Sequence, residues 1–220
     1  MDLELKGKLA LVSGSTAGIG FAIASRLAQE GARVIVNGRT QAAVDAAMDQ
    51  IRAATAADLP EIQSIYAHHV LTGTGTFEEA PPSVEEMSER FRDVLASDCA
   101  WLVATDATGV LGYGYYTRFR NRSAYRYCVD DSIYVRQDVR GQGLGKALVE
   151  SLIEDATERG MRQMVAVVGD SENVGSIGVH ASLGFLVAGT LRGVGLKFGR
   201  WLDVIWMQRP LGRGDVDMPE

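Results

Sequence analysis

The chain has 220 residues, 46% of them hydrophobic and 23% charged, with a net charge of −6. That is enough apolar material for one sizeable globular domain with at most a small appendage, and the acidic balance argues against a broad nucleic-acid-binding face, which needs a basic surface. Two cysteines, Cys99 and Cys128, make no disulfide framework, no apolar run has the length of a membrane span, and the acidic start Met1-Asp2-Leu3-Glu4 has no signal-peptide pattern, so a cytosolic protein is expected.

Lys8-Leu9-Ala10-Leu11-Val12 reads as a buried strand and is followed by the Gly-rich turn Ser13-Gly14-Ser15-Thr16-Ala17-Gly18-Ile19-Gly20. Residues 22–29 have helical character and Gly31 closes them, after which Arg33-Val34-Ile35-Val36-Asn37 reads as a second strand. This is one βαβ unit with a dinucleotide-type turn. Gly14, Gly18 and Gly20 resemble the Gly-x-x-x-Gly-x-Gly turn of short-chain dehydrogenases/reductases, and Arg39 after a second strand with no acidic end implies a lean toward NADP in that family. The resemblance stops there: no tyrosine downstream has a lysine four residues on, and the Asn-Asn-Ala-Gly strand is missing. Residues 1–50 are therefore expected to be a truncated Rossmann-like fragment, too small to bury a stable core unaided. An NADP-dependent oxidoreductase or a nucleotide-sensing appendage stand as alternatives.

From residue 51 the pattern changes. The order reads a short strand at 51–54, a helix opened by Asp58 with Leu59, Ile62, Ile65 and Tyr66 inward, and a second helix over 83–95 with Met87, Phe91 and Leu95 inward. Strands come next at 101–104, 110–119 and 127–135, the last entering Arg140-Gly141-Gln142-Gly143-Leu144-Gly145-Lys146. Leu144, Leu148, Leu152 and Ile153 then recur at helical spacing. Glycines at a strand-to-helix turn let a ligand approach backbone N–H groups, and a helix N-terminus favours phosphate. By itself, such a turn could simply start a helix. Met164-Val165-Ala166-Val167-Val168 reads as a central strand, residues 173–183 as a short helix, and residues 185–191 and 201–209 as the last two strands, before a tail over 212–220 expected to be flexible.

Arg-x-x-Gly-x-Gly after such a strand resembles the acetyl-CoA pyrophosphate loop of the GCN5-related N-acetyltransferases, the GNAT family. The element order over 51–211 matches that family's fold. The resemblance implies an α/β domain with a mixed, mostly antiparallel sheet flanked by helices. Thr74-Gly75-Thr76-Phe77-Glu78, Ala124-Tyr125-Arg126-Tyr127, the run from Asn173 to Phe185 and Gly195-Leu196-Lys197-Phe198-Gly199-Arg200-Trp201 narrow the likeness to the phosphinothricin acetyltransferase group. That group acetylates the amino nitrogen of phosphinothricin, and its members also take methionine sulfoximine or sulfone.

The same resemblance implies a set of site residues. Acetyl-CoA is the donor, contacted by Ile133, Val135, Arg140, Gly141, Gln142, Gly143, Leu144, Gly145, Lys146, Asn173 and Ser176, with the Val135 backbone facing the thioester. Asn173 could instead be only a helix cap. Phe77, Arg120, Arg122, Tyr125 and Lys197 would bind the amino acid, the arginines because a planar fork holds oxyanions by two bonds. Arg118 reads as ordinary basic loop. An ammonium cannot attack a thioester, so a base is needed. Asp130, where the group usually carries Glu, and His180, whose ordinary pKa suits transfer near neutrality, are the candidates; a solvated strand-end carboxylate and a packing histidine are the plainer alternatives. His68 and His69 read as surface or interface groups. No Cys/His cluster has metal-ligand spacing, so no metal is expected, and Phe198 and Trp201 suggest a homodimer.

Overall fold

The computed structural model describes residues 9–13, 33–37 and 51–219. The chain divides into two units, Met1–Ala43 and Val44–Glu220. In the first, β1 (Leu9–Ser13) pairs in parallel with β2 (Arg33–Asn37) in the register Leu9↔Arg33. The turn through Gly14, Gly18 and Gly20 and the helix over 22–29 lie outside the described residues.

The second unit is built on a seven-stranded sheet of order β3-β4-β5-β6-β7-β9-β8. Its strands are β3 (Ile51–Ala53), β4 (Trp101–Asp106), β5 (Gly109–Arg118), β6 (Cys128–Val135), β7 (Gln163–Gly169), β8 (Leu186–Lys197) and β9 (Arg200–Pro210). Only β6 and β7 pair in parallel; every other neighbour is antiparallel. Among the described residues four α-helices flank it: α1 (Leu59–Thr72), α2 (Val84–Ala96), α3 (Leu144–Glu158) and α4 (Val174–Ser182). The mixed, mostly antiparallel sheet expected from the sequence is present.

Side-chain alternation divides the core between the two faces of the sheet. Tyr66 of α1 meets Tyr134 edge-on at 4.9 Å, and Phe91 of α2 meets Trp101, which stacks on Tyr113 and Tyr115. On the other face α3 buries Leu144, Leu148, Leu152 and Ile153, the residues its helical spacing singled out. In α2 the inward set is Met87, Phe91 and Val94, while Leu95 is 48% exposed. A helix places i, i+4 and i+7 on one face, and position 95 falls beside that stripe. The segment after β9 is also tied down. Leu211 is buried, and Arg162 pairs with Asp217, which also receives Arg213. Those ion pairs oppose the flexible tail expected over 212–220.

Asp58 differs from its expected role as well. It makes no side-chain cap on α1. Its carboxylate receives both Nη groups of Arg52, at 2.8 and 2.7 Å, and the backbone N and Oγ1 of Thr55, at 2.7 and 2.9 Å. It thereby fastens the end of β3 to the entry of α1. The Arg52 hydrogen bond, against the penalty of burial, lowers the carboxyl from 3.8 to about 2. A group with a depressed pKa stabilises above its ordinary value and loses that contribution as pH falls through the folded value. Asp58→Asn is expected to lower the unfolding free energy by about 1–2 kcal/mol at neutral pH, since Arg52 is half exposed and screened. Denaturant titrations should show the gap to the unmodified protein closing as pH is taken from about 4 toward 2.

Candidate active site

The site begins where the sheet opens. β6 and β7 pair through Cys128↔Gln163 to Asp131↔Ala166 and no further. Beyond that point each keeps its outer neighbour: Ser132 to Val135 stay paired with β5, and Val167 to Gly169 with β9. In an antiparallel ladder, alternate residues exchange hydrogen bonds with the partner. Phe119 N donates to Cys128 O and Arg136 N to Leu111 O, so β5 is bonded to the even-numbered residues of β6. Ile133 and Val135 therefore turn their N–H and C=O into the gap.

A cavity of about 500 Å³ fills this gap. Its walls include Ile133 and Val135 of β6, Arg140, Gly141 and Gly143 of the loop into α3, Leu144, Gly145 and Lys146 of its first turn, Asn173 at the N-cap of α4, and Ser176 and His180 on α4. Every residue expected to hold acetyl-CoA lies on it except Gln142, which points to solvent. Gly141 (φ 70°) and Gly143 (φ 87°) are left-handed, a backbone state that other residues adopt only with strain, and Gly143 is the N-cap of the fifteen-residue α3. A left-handed turn opening into a helix leaves several N–H groups facing outward. The cavity's size, this cradle and the free main-chain groups in the gap fit an elongated donor carrying a pyrophosphate. Asn173 does cap α4, its Oδ1 accepting from Ser176 N at 3.3 Å.

Deep in the cavity His180 and Asp131 form a buried pair, with side chains 3% and 1% exposed. His180 Nε2 lies 3.0 Å from Asp131 Oδ2, and Nδ1 donates to Ser176 O at 2.8 Å. A carbonyl only accepts, so Nδ1 carries a hydrogen; the second bond then needs a proton on Nε2 or on the carboxyl. The pair thus holds one proton beyond neutral imidazole and carboxylate. Burial disfavours the imidazolium, but the hydrogen bond and charge of Asp131, with the Ser176 carbonyl, outweigh it and move the pKa up. Asp131 Oδ1 has no hydrogen-bond partner.

Asp130 faces the other way, one residue along an alternating strand. Its Oδ1 accepts from Thr117 Oγ1 at 2.8 Å, and it is absent from the cavity wall. Burial first, then the charge of Asp131, raises its pKa, while Thr117 and Arg120 oppose the shift. Arg120, Arg122 and Tyr125 line a second concavity with Arg118, Phe119 and Asn121. The Arg120 guanidinium lies over the rings of Phe119 and Trp206, at 4.3 and 5.6 Å. Arg118, expected in a basic loop, is the last residue of β5 and is committed to Arg126 O and Met161 Sδ.

Phe77 and Lys197 do not border either concavity. Phe77 fills the space over Gly169 and Gly195, where a Cβ would run into its ring. Lys197 is buried and donates to Thr76 O at 2.7 Å. Burial lowers its pKa against the pull of Glu79 and Glu78. Both side chains thus fasten the segment after α1 that walls the cavity at Gly73, Thr74 and Gly75. Thr74 adds a third tie, its Oγ1 donating to Asp170 Oδ2 at 2.6 Å. Sequence reasoning missed Asp131, Asp170 and His69, which also border the cavity. Only a register for β6 could have separated Asp131 from Asp130. Among the described residues no group of three or more His, Cys, Asp and Glu is placed to hold a metal ion.

A family profile described as Acetyltransferase (GNAT) domain matches residues 51–206. The chain belongs to the GNAT acetyltransferases. Residues 8–66 match a profile described as short chain dehydrogenase, too small a share of this acetyltransferase to place it in that family. The phosphinothricin N-acetyltransferase of Alcaligenes faecalis is 50% identical over 163 residues, covering 74% of this chain and 83% of that protein. The L-methionine sulfoximine/L-methionine sulfone acetyltransferase of Pseudomonas aeruginosa is 43% identical over 159 residues, covering 72% and 92%. Among solved structures, a GNAT superfamily phosphinothricin acetyltransferase from Sinorhizobium meliloti in complex with acetyl-CoA superposes with a TM-score of 0.75 at 47% identity, over 77% of this chain and 92% of that one.

The buried pair makes a prediction independent of turnover. Asp131→Asn removes the charge that favours the imidazolium and leaves the burial that opposes it, so the His180 pKa should fall below its ordinary value. Nitrogen-detected NMR titrations should place the His180 pKa of the variant below that of the unmodified acetyltransferase; an equal or higher value would remove Asp131 as the group that raises it.

Proposed function

We propose that the protein transfers the acetyl group of acetyl-CoA to the amino nitrogen of a small amino acid analogue, with phosphinothricin, methionine sulfoximine and methionine sulfone as acceptors. The observation that carries this reading is the basic concavity at Arg120, Arg122 and Tyr125 on the Asp130 side of β6, with the donor-shaped cavity bordered by Asp131 on the other. An acceptor with an oxyanion suits the arginines, and its amine would reach the thioester through the parting of β6 and β7. The relatives from Alcaligenes faecalis and Pseudomonas aeruginosa are acetyltransferases of such compounds.

In this reading Arg140 and the loop N–H groups hold the pyrophosphate, Asn173 and Ser176 the pantetheine arm, and the free Val135 N–H polarises the thioester carbonyl. Asp130, one methylene shorter than the group's Glu, takes the amine proton through a water. His180 Nδ1 already donates to a carbonyl and the pair holds a further proton between Nε2 and Asp131, so His180 fits a proton donor better than the base. As the N–C bond forms and the C–S bond breaks, the electron pair goes to sulfur and the sulfur takes the proton of the His180–Asp131 pair. Asp130 passes that first proton to solvent and then takes, through the same water, the second proton that the nitrogen sheds as it becomes an amide; this also returns to solvent, from which the pair is refilled. Positioning of both reactants supplies much of the remaining acceleration.

We also infer a homodimer in the cytosol, where its donor would be supplied. The edge strand β8, the turn after it and the start of β9 expose Leu186 (75%), Leu196, Phe198 and Trp201 (70%), and an uncovered apolar edge favours a second copy. No helix among the described residues is long and apolar enough to cross a membrane.

CoA release, followed with a thiol reagent, should proceed with at least one of the three acceptors, and no turnover with any would overturn the acceptor reading. Asp130→Ala and His180→Ala should each lower kcat by about a hundredfold or more while leaving the acetyl-CoA KM within a few-fold. Wild-type kcat in both would remove them from the chemistry. Sedimentation should give a dimer that Trp201→Glu shifts toward monomer.

A further inference from the structure

His69 stands on the last turn of α1, with buried Tyr66 and Val70 on the neighbouring positions. Its ring meets Tyr134 edge-on at 5.3 Å and borders the donor cavity. Both ring nitrogens have partners. Arg140 Nη2 lies 3.2 Å from Nδ1, and Nε2 lies 3.0 Å from Val135 O. A guanidinium only donates, so Nδ1 accepts; the ring hydrogen is then on Nε2, which donates to the Val135 carbonyl. The two contacts select one neutral tautomer. Burial first, with the charges of Arg140 and His68, pushes the His69 pKa down against the pull of the Val135 carbonyl, in keeping with that state.

The position gives this bond a task. Val135 turns its C=O as well as its N–H into the gap between β6 and β7. An uncovered carbonyl there would be a partly buried acceptor without a donor. His69 covers it, and only the N–H remains. The same ring holds the guanidinium that opens the Gly-rich loop.

We propose that His69 is a positioning residue for the donor: it joins the end of β6 to Arg140 through its two ring nitrogens and so sets the pyrophosphate loop before acetyl-CoA binds. This rests on the reading of residues 140–146 as the pyrophosphate cradle. The side chain touches neither reacting atom; it acts through Arg140, which it ties to the end of β6.

The test compares His69→Leu, His69→Gln and Arg140→Ala. Glutamine offers an amide N–H for Val135 and an amide oxygen for Arg140, so it can keep both bonds, whereas leucine keeps neither. His69→Leu should weaken acetyl-CoA binding, read by calorimetry, by about tenfold, the effect of one charge-assisted hydrogen bond, with kcat within about twofold. His69→Gln should recover most of it. With acetyl-pantetheine, which lacks the pyrophosphate, kcat/KM of His69→Leu should stay near that of the unmodified enzyme. Equal losses with the two donors, or unchanged acetyl-CoA affinity in His69→Leu, would overturn the inference. If Arg140→Ala also binds acetyl-CoA normally, the cradle reading itself fails; if it binds weakly while His69→Leu does not, only the role of His69 falls. Should His69→Leu not fold, NMR of the intact protein decides: the Nε2–H tautomer is required, and Nδ1–H would rule the bridge out.

Discussion

The parting of two neighbouring strands is the constraint on which this acetyltransferase depends. β6 and β7 are the only parallel pair in an otherwise antiparallel sheet, and they stay together for four residues. Each then keeps its outer neighbour, so the opening sacrifices only the inner ladder. It leaves a set of main-chain donors and acceptors turned into a half-closed space. Such groups are costly to bury alone, and the surrounding structure answers them. His69 covers one carbonyl, and the free N–H groups are left for a ligand. Binding capacity here comes from hydrogen bonds that the sheet itself declines to make.

The alternation of β6 then sorts the chemistry. Asp131 looks toward α4 and meets His180; Asp130, the next residue, looks toward Thr117 and the basic loop. Two adjacent carboxylates thereby experience different surroundings. One is locked to an imidazole that holds a proton, and the other is raised by burial on the side where Arg120, Arg122 and Tyr125 gather. A single strand thus separates a proton-holding pair from a candidate base without needing a second element to carry either.

Much of this was legible in the sequence because it is local. The glycines after β6, the helical spacing of Leu144, Leu148 and Leu152, and the Asn173 cap are encoded within a few residues of one another, and each stands where its pattern implied. Features made by distant segments were not legible. Nothing near His69 announces Arg140, 71 positions away, and nothing near Lys197 announces Thr76. Lys197 and Phe77 were read as pocket residues because their motifs surround a pocket; in three dimensions they hold its wall. The choice between Asp130 and Asp131 depended on register, which composition cannot supply. Leu95 and Asp58 were misjudged for a smaller reason: a helix face and a cap are each decided by one position.

The order of strands in the sheet also governs when the enzyme can first act during its own synthesis. β9 lies between β7 and β8, so the late segment Arg200–Pro210 is an inner member of the sheet rather than an addition to its rim. It supports the β7 side of the opening, and the hairpin it forms with β8 supplies Gly195 and Lys197, the seat for Phe77 and the anchor for Thr76. A nascent chain that has released everything through α4 therefore has the residues of the cavity wall but not the strand and hairpin that back them. Those non-local ladders close slowly compared with local helix formation, so the opening gains its full support only once β9 lies between β7 and β8.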